Sequence, residues 1–431
     1  MTSAEEFRGA RGTKRLESST AAARYQREWF AGLHERVAAG EPLALVDADV
    51  PHELLRAMDI PYVVNQWWAS ICSAKQRAPH YLALLRERGY PDYVEQYSAI
   101  SLGSTFEDDP EQAPWGGLPP VSIFLTQLWT DAHLGIAEAW RRECGVPFFA
   151  FEKAVENALP ERWWERIAND WEVVVGTARL DLMSAELEQC IAFLESATGK
   201  RFDESRLESV LALANEQQEW SRRTRDLLAS TSPAPVDIVD TIPAVMLPQW
   251  HRGSEWARDA ARSFHEEIET LVVEGAAVCE NERLRLMWIG RGLWFNLGFY
   301  QHFQETYGAV FVWSMYLAIA ADGYPRYGGP PLRALAARFA AFSDLIGMPG
   351  WADPWYVKEA QGHRVDGVVH LVTPESRSSY FVTRALEDAG IPVLELDANN
   401  ADARGWDEEA FVSELSEFVE NRVRPVAGER T

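Results

Sequence analysis

At 431 residues the chain exceeds one ordinary domain, which predicts two or three. Apolar residues at 47% and charged residues at 25% exclude a disordered, collagen-like or small disulfide-stapled chain. Sixty-five acidic against 41 basic residues leave a net charge of −24, a field that repels nucleic acid and anionic membranes.

The first 20 residues are polar, lack the apolar stretch of a secretory signal and predict a loose tail. Residues 21–40 carry a helical pattern that closes on Gly40. A local grammar then begins. The apolar run Pro42 to Val46 precedes a helical stretch from His52, and Ile60-Pro61 opens the strand YVV. The run VSIFL (121–125) precedes a helical stretch from about Asp131 to Cys144, and Gly145-Val146-Pro147 opens FFAF. Residues 160–280 read as helical, broken by the loop SPAPVD at 232–237, and RLRLMWIG (283–290) opens a further strand region. The most apolar run, Gly308 to Ala320, has about 13 residues against the roughly 20 of a spanning helix. Near the C-terminus VVHLV (368–372) leads through a helical stretch to Gly390-Ile391-Pro392 and VLELD.

Three units of strand, helix, Ile/Val-Pro and strand predict βαβ crossovers in parallel sheets. The fold class is α/β: two Rossmann- or flavodoxin-like parallel-sheet domains with a helical insert and an N-terminal helix. The expected division is tail and helix over 1–40, a first α/β domain over 41–159, the insert over 160–282 and a second α/β domain over 283–431.

In open parallel sheets ligands bind beyond the carboxyl ends of the strands, where helix N-termini also point. The candidate site residues therefore follow the strands: Asn65, Gln66 and Trp67 after YVV; Gln127, Thr130, Asp131 and His133 after VSIFL; Arg291 and Trp294 after MWIG; and Glu375, Ser376, Arg377, Ser378 and Ser379 after VVHLV. Thr130-Asp131 serves as a helix N-cap or has a functional role; Ser376 or Ser378 caps a helix or holds an anion with Arg377. His370, inside an apolar run, reads as a core histidine. Several of the 18 tryptophans fall near strand ends, where they would wall a pocket or fill the core. Gly290-Arg291-Gly292 starts like a dinucleotide fingerprint, but position 295 is Phe, so a tight turn is the simpler reading. No P-loop and no nucleophile-elbow motif occurs.

Four stretches, PLALVDADVPHELLRAMDIPYVV, RERGYPDYVEQYSAISLG, LTQLWTDAHLGIAEAWRRECGVPFFAFE and VDGVVHLVTPESRSSYFVTRALEDAGIPVLELDANNADARGW, in this order and spacing, resemble the 2-hydroxyacyl-CoA dehydratase and benzoyl-CoA reductase family over about Pro42 to Arg422. The resemblance implies paired α/β domains, an acyl-CoA thioester as ligand and a related, paralogous subunit as partner. In cluster-bearing members three cysteines hold a [4Fe–4S] cluster, and an electron from an activator turns the thioester into a ketyl radical before the 2-hydroxyl leaves. The three matching places here carry Glu95 (in Glu95-Gln96-Tyr97), Thr130 and the segment Glu375–Ser379. The four cysteines stand elsewhere, at 72, 144, 190 and 279. Hydroxyls do not replace thiolates as iron ligands at neutral pH, so no cluster is expected in this chain.

The expectation is a cytoplasmic subunit of such a dehydratase or reductase, either supporting a partner's cluster or catalysing a non-redox reaction in the inherited pocket. In the second case Glu95 is the expected acid or base, with Asp131 and Ser378 beside it. Tyr97 and the strand-end residues would bind substrate, and the pKa of Glu95 should rise in a desolvated cleft. The alternatives are a non-catalytic scaffold subunit and a two-domain glycosyltransferase.

Overall fold

A computed structural model describes residues 12–91, 95–128, 130–152, 159–373 and 379–429, the side chains of 342–347, 349 and 429 excepted. The expected strand-helix units form. β1 (Ala44–Val46), β2 (Tyr62–Val64), β3 (Ile123–Gln127) and β4 (Phe148–Phe151) build one parallel sheet in the order β2-β1-β3-β4. β5 (Leu284–Ile289), β6 (Ala309–Ser314), β7 (Gly367–Val372) and β8 (Val393–Asp397) build a second in the order β6-β5-β7-β8. Both sheets are parallel throughout and share one topology. In each, the chain reverses its direction of winding between the first and third strands, β1/β3 and β5/β7, where an open sheet leaves its ligand crevice.

The punctuation has the expected physical form. Gly145 (φ +69°) and Gly390 (φ +77°) take left-handed conformations after their helices, and Pro147 and Pro392 precede the next strands. In the first unit Asp59 (φ +54°) takes that place instead of glycine. Apart from the edge strands β4 and β8, the strands are buried along nearly their whole length and lack polar alternation because both faces are covered, whereas β8 exposes Glu395 and Asp397. In the second sheet alternate residues divide between two cores: Met287, Ile289, Val310 and Val368 join the core shared with the first sheet, whereas Leu286, Trp288, Phe311, Val369 and Leu371 face a separate one.

Helices between Trp163 and Val273 lie between the two sheets in sequence. The N-terminal helix, Glu17–Ala38, begins earlier than its apolar periodicity suggested. The reason is tertiary. The Asp240 carboxylate accepts from the amides of Arg15 and Leu16, and Glu267 from those of Glu17 and Ser18. These two side chains satisfy donors that a helix start leaves open. Residues 12–16, expected in a loose tail, are thereby tied down. The apolar run 308–320 divides at Ser314 between β6 and the helix Met315–Asp322. Among the described residues no helix is long and apolar enough to cross a membrane.

The helices Ala78–Glu87 and Gln96–Ser104 cross at Gly103, where a Cβ would stand 2.4 Å from the Tyr81 carbonyl oxygen. Gly103→Ala should therefore cost about 1–3 kcal/mol in urea unfolding, through the backbone shift that relieves the overlap.

Candidate functional site

At the reversal point of the first sheet Asp47 follows β1 directly and is 2% exposed. Its Oδ2 accepts from Thr126 Oγ1 on β3 at 2.5 Å, and its Oδ1 from Asn65 Nδ2 at 3.1 Å and Gln66 Nε2 at 2.9 Å. Asn65 and Gln66 open the helix Asn65–Ala74 at the end of β2. The carboxylate thus links the carboxyl ends of β1, β2 and β3. The same amides reach the helix Gln96–Ser104: Asn65 Nδ2 donates to the Ser98 carbonyl and Gln66 Nε2 to Ser98 Oγ, at 3.1 and 3.2 Å. The Tyr97 hydroxyl donates to the Gln66 carbonyl at 2.6 Å. Asp47 was not among the sequence candidates. Its signal was an acid placed directly after the apolar run LALV.

At the reversal point of the second sheet the chain leaves β5 through Gly290 (φ +101°), where a Cβ would meet the Leu371 carbonyl oxygen at 2.8 Å. Only glycine fits that turn, which accounts for it without a nucleotide fingerprint. The turn projects Arg291 toward the first sheet. Arg291 Nη1 bonds Glu95 Oε1 at 2.5 Å, and its guanidinium lies 5.2 Å from the Tyr97 ring centre. Gln76 Nε2 donates to the Phe295 carbonyl at 3.3 Å, and Asn399, after β8, donates to Gln96. The carboxyl edges of the two sheets are therefore joined by direct polar contacts.

Glu95 has no exposed side-chain surface, whereas Arg291 retains 28%. Burial by itself would push the Glu95 carboxyl up. The Arg291 guanidinium, His133 and the Ser98 amide, which donates to Oε2 at 2.7 Å, reverse this and hold it at about 2. The expected rise is thus corrected: the carboxylate stays charged because the second sheet supplies its counter-ion. Burial pushes the Tyr97 hydroxyl well above its ordinary value.

The candidates fall into distinct places. Glu95, Tyr97, Asn65, Gln66 and Arg291 form one connected network. Thr130 joins its edge: Thr130 Oγ1 and His133 Nδ1 share a 3.1 Å hydrogen bond, and His133 acts on Glu95. Thr130 occupies the N-cap position of the helix Asp131–Cys144 without a capping side-chain bond, and Asp131 in its first turn is exposed. Gln127 ends β3 and is 2% exposed. Trp294 packs near Tyr316, ring centres 5.9 Å apart. Trp67 is taken up by the core among Trp29, Phe30 and Trp115 instead of walling the strand ends. Ser379 precedes the helix Tyr380–Asp388 without a capping bond. Glu375, Ser376, Arg377 and Ser378 lie outside the described residues, so the meeting of Glu95 with Ser378 does too. His370 is a buried core histidine, 1% exposed, bonded to Thr383 Oγ1 at 2.9 Å, and burial lowers it to about 4.

Among the described residues the donor set does not fit a [4Fe–4S] cluster. Of the two described positions where the resemblance puts cysteines, Glu95 is ion-paired and Thr130 is bonded to His133. Cys72 and Cys190 are buried, and burial raises both thiols, Cys72 far above the usual range. Cys144 sits at the far end of the helix that Thr130 begins. Among the described residues no three His, Cys, Asp or Glu side chains are grouped to hold a metal.

Comparison with known proteins adds family evidence to this geometry. The chain is 20% identical to the (R)-2-hydroxyisocaproyl-CoA dehydratase alpha subunit of Clostridioides difficile over 399 residues, covering 91% of this chain and 93% of that one. It is 22% identical over 272 residues to the (R)-phenyllactyl-CoA dehydratase alpha subunit of Clostridium sporogenes, covering 58% of this chain and 64% of that one. The family model described as 2-hydroxyglutaryl-CoA dehydratase, D-component, matches residues 48–421, from just after β1 through β2 to β8 and the helices between the two sheets. The chain belongs to the 2-hydroxyglutaryl-CoA dehydratase, D-component family.

Proposed function

We propose that the chain is a subunit of a 2-hydroxyacyl-CoA dehydratase-like or benzoyl-CoA reductase-like assembly in the cytoplasm. It takes an acyl-CoA thioester at the carboxyl edges of its two sheets, carries no iron–sulfur cluster of its own and works beside a paralogous subunit. The observation that carries the reading is the joining of the two reversal points through Asp47, Ser98, Glu95 and Arg291. Two similar relatives are named as alpha subunits of acyl-CoA dehydratases, which supports both the ligand class and the partner.

In this reading Glu95 is not the acid or base. A carboxyl held at about 2 has no proton to give near neutrality and little affinity for one. Its part is to fix Arg291 at the cleft. Asn65, Gln66, Gln127, Tyr97 and Trp294 shape the surrounding wall. Thr130 and Asp131, at the start of one helix, and Ser379, before another, supply polar groups for the thioester, with Glu375, Ser376, Arg377 and Ser378 joining them from the adjacent sequence. The direct contacts between the edges also suit a non-catalytic scaffold role, because they tie the two sheets together.

Purification of the full chain, alone and with its native partner, tests the reading. The expected result is a colourless chain without iron, stabilised in thermal unfolding by acyl-CoA esters more than by free CoA, and unmoved by nucleotide sugars. Stabilisation by nucleotide sugars alone would favour a glycosyltransferase. Indifference to every CoA ester, in a chain that still binds its partner, would favour the scaffold role.

A further inference from the structure

Thr130 stands three residues beyond β3, one of the two strands between which the first sheet reverses its winding. Its backbone has the form of a helix N-cap. The dihedrals are extended (φ −143°, ψ 167°), and its carbonyl accepts from the His133 amide at 3.2 Å. A threonine there ordinarily turns its hydroxyl onto a first-turn amide. Thr130 makes no such bond. Its Oγ1 pairs instead with His133 Nδ1 at 3.1 Å.

The two side chains differ in access. Thr130 is exposed, whereas His133 behind it is 7% exposed. With the ring proton on Nε2, Nδ1 accepts from the Thr130 hydroxyl, which is the polarity a base needs. The charge of Glu95 bears on this ring. Glu95 is fully buried and held by Arg291 and the Ser98 amide, so it remains a fixed negative charge that favours a protonated imidazole. A reachable hydroxyl, a buried imidazole bonded to it and a carboxylate acting on that imidazole are the parts of an activated oxygen nucleophile.

We propose that Thr130 is an acyl acceptor and His133 its base, so that the chain hydrolyses the thioester it binds. The inference rests on the acyl-CoA reading of the site and names the reaction there. His133 Nδ1 takes the hydroxyl proton while Thr130 Oγ1 bonds to the thioester carbonyl carbon. The C–S bond then breaks, its electron pair leaves on sulfur, and the imidazolium returns the proton to give the CoA thiol. Water completes the cycle. His133 takes a proton from it, its oxygen bonds to the carbonyl carbon of the Thr130 ester, and the C–Oγ1 bond breaks. The proton restores the Thr130 hydroxyl and the carboxylic acid departs. Water is the sole co-reactant, and nothing is oxidised or reduced.

The full chain, alone and with its native partner, is to be incubated with lactyl-CoA and with benzoyl-CoA. Released CoA is read with a thiol reagent, and acid-quenched protein by peptide mass. The expected result is catalytic thiol release from at least one ester and an acyl group on Thr130. Thr130→Ala and His133→Gln should each lower kcat by about 10²–10⁴-fold, and Thr130→Ser, which keeps a hydroxyl, should retain turnover. Thr130→Ala removes an exposed side chain without a capping bond, so the test stands even if His133→Gln fails to fold. Thiol release that survives Thr130→Ala unchanged overturns the proposal. Thermal stabilisation by the esters without thiol release overturns it and leaves the acyl-CoA reading standing. The absence of both overturns both.

Discussion

Replacing Glu53 by alanine is expected to destabilise the chain by about 3–5 kcal/mol, the range for removing one partner of a buried ion pair. Glu53 is 1% exposed, and Arg252 and Arg338 both donate to it. Its loss leaves two guanidiniums buried without the one carboxylate they contact. The three residues come from segments far apart in sequence: the helix after β1, the turn after the helix Ile238–Trp250, and the helix Pro331–Gly347. The damage should therefore be global, seen as one earlier urea transition with an unchanged slope. Glu53→Gln keeps an acceptor oxygen and should lose less. Burial opposes the charge of Glu53, but the two arginines hold its carboxyl at about 2. A folded value below the unfolded one means stability present above about pH 4.5 and lost as pH falls toward 2. Glu53→Ala should erase that part of the acid dependence. An alanine variant as stable as the parent would show that the triad contributes nothing net.

The second large effect is expected at Arg291. Arg291→Met leaves Glu95 buried and charged, with the Ser98 amide and His133 but no guanidinium. In the parent chain the fall of the Glu95 carboxyl from 4.5 to about 2 corresponds to about 3 kcal/mol, present above pH 4.5 and lost as pH drops toward 2. In the variant the balance inverts. Desolvation then outweighs the remaining donors, the folded value rises above the unfolded one, and stability is lost as pH rises. The two chains should differ by about 3–5 kcal/mol at pH 7 and converge as pH falls below 4. Urea midpoints across that range check the crossing. Parallel curves would mean that Arg291 does not set the charge of Glu95. Since the pair also joins the sheet edges, Arg291→Met should weaken acyl-CoA stabilisation.

Much of the architecture was legible because it rests on local chemistry. Apolar runs of three to six residues, a left-handed stop and a proline before the next strand specify a crossover wherever they occur, and three such units implied parallel sheets. The N-terminal helix was misjudged at its start because Asp240 and Glu267, more than 200 residues away, supply its capping acceptors. Trp67, left open between pocket wall and core, was undecided for a related reason. Its position after a strand is sequential, but its ring belongs to a cluster with Trp29, Phe30 and Trp115.

The sequence by itself determined the fold class and the strand-end loops that carry polar residues. These follow from residue type and spacing. Only the tertiary structure decided the charge states and pairings. That Asp47 gathers three strand ends, that Glu95 meets Arg291 from the other sheet and stays ionised, and that Arg252 and Arg338 share the buried Glu53 are long-range electrostatic facts. Each depends on which charges burial brings together, and no periodicity along the chain encodes that.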